Sequence, residues 1–193
     1  MLPAPLRRLY ALCWQAGARL MSFVWLRDCD RVGPRTSTFF RPRIENAGRI
    51  VIGAGVRLNS NWSPIELVTG PAGAIEIGDG TYVNYGTLIS SQRAVRIGPR
   101  VMIGNYSIIA DSEVPPFAGV AVPGVDVRPI EIGAGAWLAA RVTVLPGARI
   151  GDEAVIAAGS VVAGDIPAGA VAGGIPARVL RMPAAPDAVA ERR

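Results

Sequence analysis

The sequence predicts an all-β solenoid, a chain wound into stacked triangular coils, and three observations carry that expectation. The first is a six-residue repeat. From Ile132 the chain divides without a gap into IGAGAW, LAARVT, VLPGAR, IGDEAV, IAAGSV and VAGDIP, each opening on an aliphatic residue. Neither a helical period of 3.6 nor a strand period of 2 reproduces that spacing. Second, the 193 residues include 23 Gly and 16 Pro, which suit many tight turns and are costly inside helices. Third, 50% of the chain is hydrophobic and only 18% charged, enough for a core built from small and aliphatic side chains. A six-residue period means a short strand and a turn, so three hexads close one triangular coil. The opening aliphatics then stack inward, coil on coil, one strand spacing of about 4.8 Å apart.

Each element follows in chain order. Residues 1–49 are expected to form an N-terminal lead-in with an amphipathic helix over 6–27. Leu6, Leu9, Cys13, Ala16, Leu20, Phe23 and Val24 recur at helical spacing, with Arg8, Gln15, Arg19 and Ser22 on the opposite face. Gln15 and Arg19 interrupt the apolar run too early for a membrane span, and the cleavage site of a signal peptide is missing. Two roles stay open for this helix. It caps the end of the solenoid or packs on a neighbouring subunit, or it lies on an anionic membrane surface with Trp14 and Trp25 at the interface.

The solenoid is expected over 50–181. A faint hexad pair begins at Ile52, and clearer ones run from Ile77 (IGDGTY, VNYGTL, ISSQRA) and Ile97 (IGPRVM, IGNYSI, IADSEV). Val95 and Arg96 add two residues between triplets, which a corner bulge absorbs in this reading. Residues 115–129, PPFAGVAVPGVDVRP, break the rhythm and read as a loop ejected from the coil, either a tolerated insertion or the wall of a binding site. Residues 182–193 read as a flexible tail.

Composition excludes much chemistry. The chain has no His, and all 20 of its Lys and Arg residues are Arg. There is thus no imidazole base, no Ser-His-Asp system, no Schiff-base lysine and no P-loop. Cys13 and Cys29 form no ligand-spaced cluster, so no metal site is expected, and a reduced cytoplasmic chain is the expectation. Residues 1–49 carry nine Arg against Asp28, Asp30 and Glu45, whereas the rest is nearly balanced. With no recognised binding motif, the basic character of the N-terminus is not read as nucleic-acid binding.

The run from Trp137 to Arg181 resembles the hexapeptide-repeat acyltransferases, the left-handed β-helix family that includes galactoside, maltose and capsular-sugar O-acetyltransferases. The resemblance covers roughly residues 50–181. It implies a left-handed parallel β-helix, a homotrimer, acetyl-CoA or another acyl-CoA as co-substrate in the groove between neighbouring solenoids, and a sugar or polysaccharide-type acceptor. Carried over one at a time, Ala140 lies beside the pantetheine arm, and Ala158 meets the cofactor through its backbone. Pro176-Ala177-Arg178 is the closing motif, with Arg181 one turn later. Both guanidiniums suit the phosphates of CoA. Asn84 matches an Asn beside the acceptor hydroxyl.

The departures are as informative. The family's general base, a His followed by Pro, falls on Val114, with Pro115 behind it. Asp111 and Glu113 flank that position and are the candidate substitutes as base. The Thr-Lys pair that relatives use for CoA is Ala163-Gly164 here. Two functions therefore stand: an acyl-CoA-dependent acyltransferase with an atypical base, and a non-catalytic trimeric scaffold that keeps CoA or sugar binding. The location expected is cytoplasmic, or peripheral on the inner membrane face. A carbonic anhydrase of this architecture would need three His ligands.

Overall fold

A six-residue repeat can close only if every strand finds its partner one coil away, and the pairing shows that it does. The computed structural model of the protein describes residues 21–113 and 126–183. Three parallel sheets run along the three faces of a prism. The first coil consists of β1 (Arg31–Val32), β2 (Ser37–Phe39) and β3 (Arg43–Asn46), and the second of β4 (Arg49–Ile52), β5 (Arg57–Asn59) and β6 (Glu66–Thr69). The third holds β7 (Ala74–Ile77), β8 (Tyr82–Val83) and β9 (Leu88–Ser91), the fourth β10 (Val95–Ile97), β11 (Met102–Ile103) and β12 (Ile108–Ala110). After an interruption come β13 (Ile130–Ile132), β14 (Trp137–Leu138) and β15 (Thr143–Val144), then β16 (Arg149–Ile150), β17 (Val155–Ile156) and β18 (Val161–Val162). A last part-coil of β19 (Asp165–Ile166) and β20 (Val171–Gly174) ends in β21 (Ala177–Arg181), which turns back antiparallel on β20.

The first strands of the coils form sheet A, the second strands sheet B and the third strands sheet C. The core is a set of in-register columns. Ile52, Ile77, Ile97, Ile132, Ile150 and Ile166 pair one on the next through sheet A, and all are buried. Burying each such side chain is worth about 1.5–3 kcal/mol, so a column of six outweighs any exposed pair on the surface. The outer face of sheet A is charged instead. Arg49, Glu76, Arg96, Glu131 and Arg149 stand in alternation, with N–O distances of 3.2–4.0 Å between neighbours. Exposed pairs of this kind contribute little each.

Three sequence expectations change. The solenoid begins at Arg31, well before the faint hexads at Ile52, because β1, β2 and β3 pair in register with the second coil despite lacking an obvious repeat. Val95 and Arg96 form no bulge; both are strand residues of β10, paired with Ile75 and Glu76 on one side and Ile130 and Glu131 on the other. Most of the helix expected over 6–27 falls outside the described residues, which retain a helical turn over 21–25. In that turn the expected faces are exchanged. Ser22 is buried and accepts a 2.7 Å hydrogen bond from the Thr38 amide, while Phe23 is 84% exposed. The hydroxyl satisfies a backbone N–H at the open end of the solenoid, and Leu26 plugs the core there. Among the described residues no helix is long and apolar enough to cross a membrane.

The corner between sheets A and B explains the glycine load. A Cβ added at Gly53 would lie 2.8 Å from the Asp79 amide nitrogen and 3.0 Å from the carbonyl carbon of Gly78, one coil on. At Gly55 the constraint is different: φ is +66°, with open space around it. Gly53→Ala should therefore lower stability by about 1–3 kcal/mol through overpacking. Gly55→Ala should cost about 1–2 kcal/mol through the left-handed backbone alone. Asn, which tolerates the left-handed region, separates the two accounts: Gly55→Asn should recover part of the alanine loss in urea midpoint and Gly53→Asn none, and equal recovery would refute the close-packing account.

Candidate functional site

The corner between sheets B and C gathers most of the residues singled out in the sequence. Backbone hydrogen bonds climb it coil by coil: Gly86 N to Ser63 O at 3.1 Å, Tyr106 N to Tyr85 O at 2.9 Å, Arg141 N to Asn105 O at 2.9 Å, and Gly159 N to Ala140 O at 3.0 Å. Asn84 sits on this corner in the third coil, Ala140 in the fifth and Ala158 in the sixth. From Asn84 to Ala158 is three coil spacings, about 14 Å.

Asn84 is the centre of a polar cluster. Its Oδ1 accepts from Asn59 Nδ2 at 3.0 Å, from the Tyr85 amide at 3.0 Å and from the Tyr82 hydroxyl at 3.3 Å. Asn59 Nδ2 also reaches the Tyr82 oxygen at 3.1 Å, and the Arg57 guanidinium lies 5.3 Å from the centre of the Tyr82 ring. With its oxygen so occupied, Asn84 is oriented, and its amide nitrogen donates to no partner among the described residues. That leaves a donor of fixed direction at the surface, suited to a hydroxyl oxygen.

Above Asn84 the fourth coil places Asn105 and Tyr106 on the corner, and beyond them small residues line it beside the exposed Arg141. Ala139-Ala140 and Ala157-Ala158 are followed by Gly173-Gly174 in the next rung, a smooth lane of methyl groups and backbone. Arg178 and Arg181 lie at its end. A strand alternates its faces, so residues three apart would point opposite ways. A register shift between Val171 and Ala172 corrects this: Arg178 stands opposite Gly173 and Arg181 opposite Val171, and both arginines share the outer face of sheet B. Both are exposed. A lane without bulk ending in two guanidiniums fits an extended pantetheine arm and its phosphates.

The two candidate carboxylates part company. Asp111 is fully buried at the foot of the interrupted coil. Its two oxygens accept from the Gln92, Arg93 and Ala94 amides at 2.7–2.8 Å and from the Ser91 hydroxyl at 2.8 Å. Oδ2 takes three of these bonds and Oδ1 one. Asp111, a candidate base in the sequence, thus also closes the corner over 91–94, with its carboxylate turned into the solenoid. Glu113, two residues on, is exposed. The roots of the insertion meet through an antiparallel bridge between Ser112 and Val127 and a 3.0 Å bond from Arg128 N to Asp111 O. The interruption thus runs from Asp111 to Pro129, four residues earlier than the Pro-rich run suggested. Val114, at the family's His position, and Pro115 lie outside the described residues.

Other features are set aside on geometry. Cys29 is half-buried, and burial, with Asp28 and Asp30 nearby, pushes its thiol up to about 12, so it stays protonated and is a poor nucleophile. A shallow concavity of about 990 Å³ runs along sheet A, but its walls are the charge ladder and the glycine corner, far from Asn84 and Arg178. Among the described residues no three acidic or thiol groups are placed to hold a metal.

Comparison with known proteins bears on this arrangement. Residues 129–164 match the family model for the bacterial transferase hexapeptide (six repeats). The chain is 37% identical over 108 residues to the galactoside O-acetyltransferase of Escherichia coli, covering 55% of this chain and 53% of that protein. It is 35% identical over 120 residues to a putative lipopolysaccharide biosynthesis O-acetyl transferase of the same organism, covering 56% and 61%. It therefore spans between half and two thirds of the length of these relatives. A hexapeptide-repeat acetyltransferase of Vibrio cholerae, solved with acetyl coenzyme A, superimposes with a TM-score of 0.59 at 23% identity, covering 91% of this chain and 88% of that one. The architecture is the left-handed parallel β-helix.

Sequence reasoning missed the partners of Asn84 and Asp111, since Asn59 is 25 residues from one and Ser91 20 from the other. Only the coil register brings them together. Replacing Asp111 by Asn should set its NH2 against the Gln92 amide or, flipped, against the Arg93 and Ala94 amides, and cost on the order of 3 kcal/mol. The check is the urea midpoint together with amide exchange, which should accelerate first at residues 92–94.

Proposed function

We propose that this hexapeptide-repeat protein is an acyltransferase that moves an acetyl or longer acyl group from acyl-CoA to a hydroxyl of a sugar or polysaccharide-type acceptor. The observation that carries the reading is the B–C corner. There Asn84, the bare lane over Ala140 and Ala158, and the paired arginines follow one another in the order that acceptor, pantetheine and phosphates require. The similarity to sugar O-acetyltransferases supports it.

In this reading Arg178 and Arg181 hold the phosphates, and the arm lies over Ala140 and Ala158, whose side chains end at Cβ. The bound acyl-CoA supplies an activated thioester carbonyl. Asn84 donates to the acceptor hydroxyl oxygen and orients it. As that oxygen attacks, a C–O bond forms and the C–S bond breaks. The hydroxyl proton passes to Glu113, which returns it to the departing sulfur. Glu113 leaves the solenoid at the C–A corner, however, and sheet C separates it from Asn84 within one chain. Base and acceptor meet only across the groove between two copies, so the reading includes a homotrimer with composite sites. The surface agrees with it: Met102 and Trp137 on sheet B and Ile108 on sheet C are each at least 42% exposed, while sheet A carries the charge ladder. Such an enzyme works where acyl-CoA is held, in the cytoplasm.

Calorimetry with acetyl-CoA and longer acyl-CoAs tests the first half: saturable binding to the wild-type protein, weakened about tenfold or more in Arg178→Ala. Absence of binding to any acyl-CoA would favour the scaffold reading, which the missing imidazole also motivates. Turnover tests the second half. Glu113→Gln should lose about 100-fold in kcat. Mixed and reassembled with Asn84→Ala subunits, it should recover activity, because some grooves then pair an intact Glu113 with an intact Asn84. No recovery would place both residues in one chain's site.

A further inference from the structure

The chain is poor in aromatic residues, yet three consecutive coils place one on the same corner. Trp62 stands on the second coil, Tyr85 on the third and Tyr106 on the fourth. The second coil turns this corner with extra residues, NSNWSP, and that turn is fixed. The Asn61 amide donates to Asn59 Oδ1 at 3.3 Å, the Ile65 amide to Ser60 Oγ at 3.2 Å, and Ser63 O accepts from Gly86 N at 3.1 Å. At its tip Trp62 is 83% exposed. Tyr85 and Tyr106 meet edge to face at 5.4 Å, and the Tyr106 ring occupies the space that a Cβ on Gly86 would fill.

The indole stands in water on a turn fixed by hydrogen bonds, one coil from the Tyr85–Tyr106 pair and from Asn84, so it is available to a ligand at that corner. The neighbours indicate the ligand's chemistry. The rings are interleaved with the amides of Asn59, Asn61 and Asn84 and the Tyr82 hydroxyl. An acyl chain or an apolar protein face would leave the Asn84 amide nitrogen, a donor of this cluster that its neighbours do not engage among the described residues, without an acceptor. A pyranose meets both demands: its C–H face packs on the negative face of an aromatic ring, and its hydroxyls pair with amides. From Trp62 to Asn84 is one coil spacing, about 5 Å, so a ring seated on the indole adjoins the one at Asn84.

We propose that this edge is a binding platform for a glycan chain, on which Trp62 holds the sugar ring next to the one presented to Asn84, on the side away from Ala140 and Ala158. The acceptor is then an oligosaccharide or polysaccharide and not a free monosaccharide. This rests on the acyltransferase reading of Asn84 and extends it.

The test uses the intact protein without acyl-CoA, so that binding is read apart from transfer. Wild type, Trp62→Ala and Trp62→Phe are applied to an array of immobilised mono- to tetrasaccharides, and each is examined by sedimentation. The expected result is retention of oligosaccharides over monosaccharides by the wild type, at least a tenfold loss in Trp62→Ala and substantial rescue in Trp62→Phe. Retention of no oligosaccharide, indifference to chain length, or undiminished binding by Trp62→Ala overturns the proposal. So does a loss of self-association in Trp62→Ala, which would assign the indole to a second copy of the chain. Acyl-CoA binding and transfer to monosaccharides that persist alongside such a failure leave the acyltransferase reading standing. Glycan retention without acyl-CoA binding does the reverse.

Discussion

A parallel coil must climb one strand spacing per turn, and the backbone of each corner has to pass within van der Waals reach of the corner above it. Every other feature is arranged around that approach. At the A–B corner a Cβ on Gly53 would press into the backbone of the next coil, so the second hexad position there is glycine in coil after coil. The isoleucine column of sheet A exists because the corners hold register; a one-residue slip would turn every inward side chain out. Where the approach is relaxed, the coil makes room for irregular turns. The turn over 60–64 and the interruption after Asp111 are both places where the coil departs from its minimum length.

The two departures are stabilised differently. The Trp62 turn is held by backbone groups and short polar side chains, and is closed by its own residues together with Gly86 of the next coil. The insertion relies on one buried carboxylate. Asp111 gathers three amides and a hydroxyl that the lengthened corner over 91–94 would otherwise bury without partners, and it does so at the point where the chain leaves the solenoid. A candidate base thus also serves the architecture, and Glu113 is the acid facing solvent.

Much of this was legible in the sequence, for a physical reason. A hexad repeat records a local rule, an inward aliphatic followed by a tight turn, and local rules survive translation into letters. The run from Ile132 to Pro167 folds as read, and Asn84, Ala140 and Ala158 share a corner because the second and third positions of equivalent hexads always turn there. What stayed hidden was non-local or irregular. The first coil satisfies the pairing with Val32 and Thr38 where the repeat expects larger aliphatics, so no hexad announced it. Ser22 looked like a solvent-facing helical residue because its partner, the Thr38 amide, is a backbone group without a signature. The fate of Asp111 depended on a corner 17 to 20 residues away, and the common facing of Arg178 and Arg181 on a register shift that strand periodicity alone would deny.

The reversal of the chain at β21 has a consequence for the solenoid as an object. A stack of parallel strands is an open template: its last edge offers the same evenly spaced row of donors and acceptors that its first edge could accept, and identical molecules would add end to end. By turning antiparallel, β21 changes the hydrogen-bond pattern on sheet B from even to alternating spacing. The next solenoid no longer finds a matching edge there. The same hairpin that carries the two arginines therefore blunts the sheet B edge of a self-complementary fold, while sheets A and C end on the parallel strands β19 and β18.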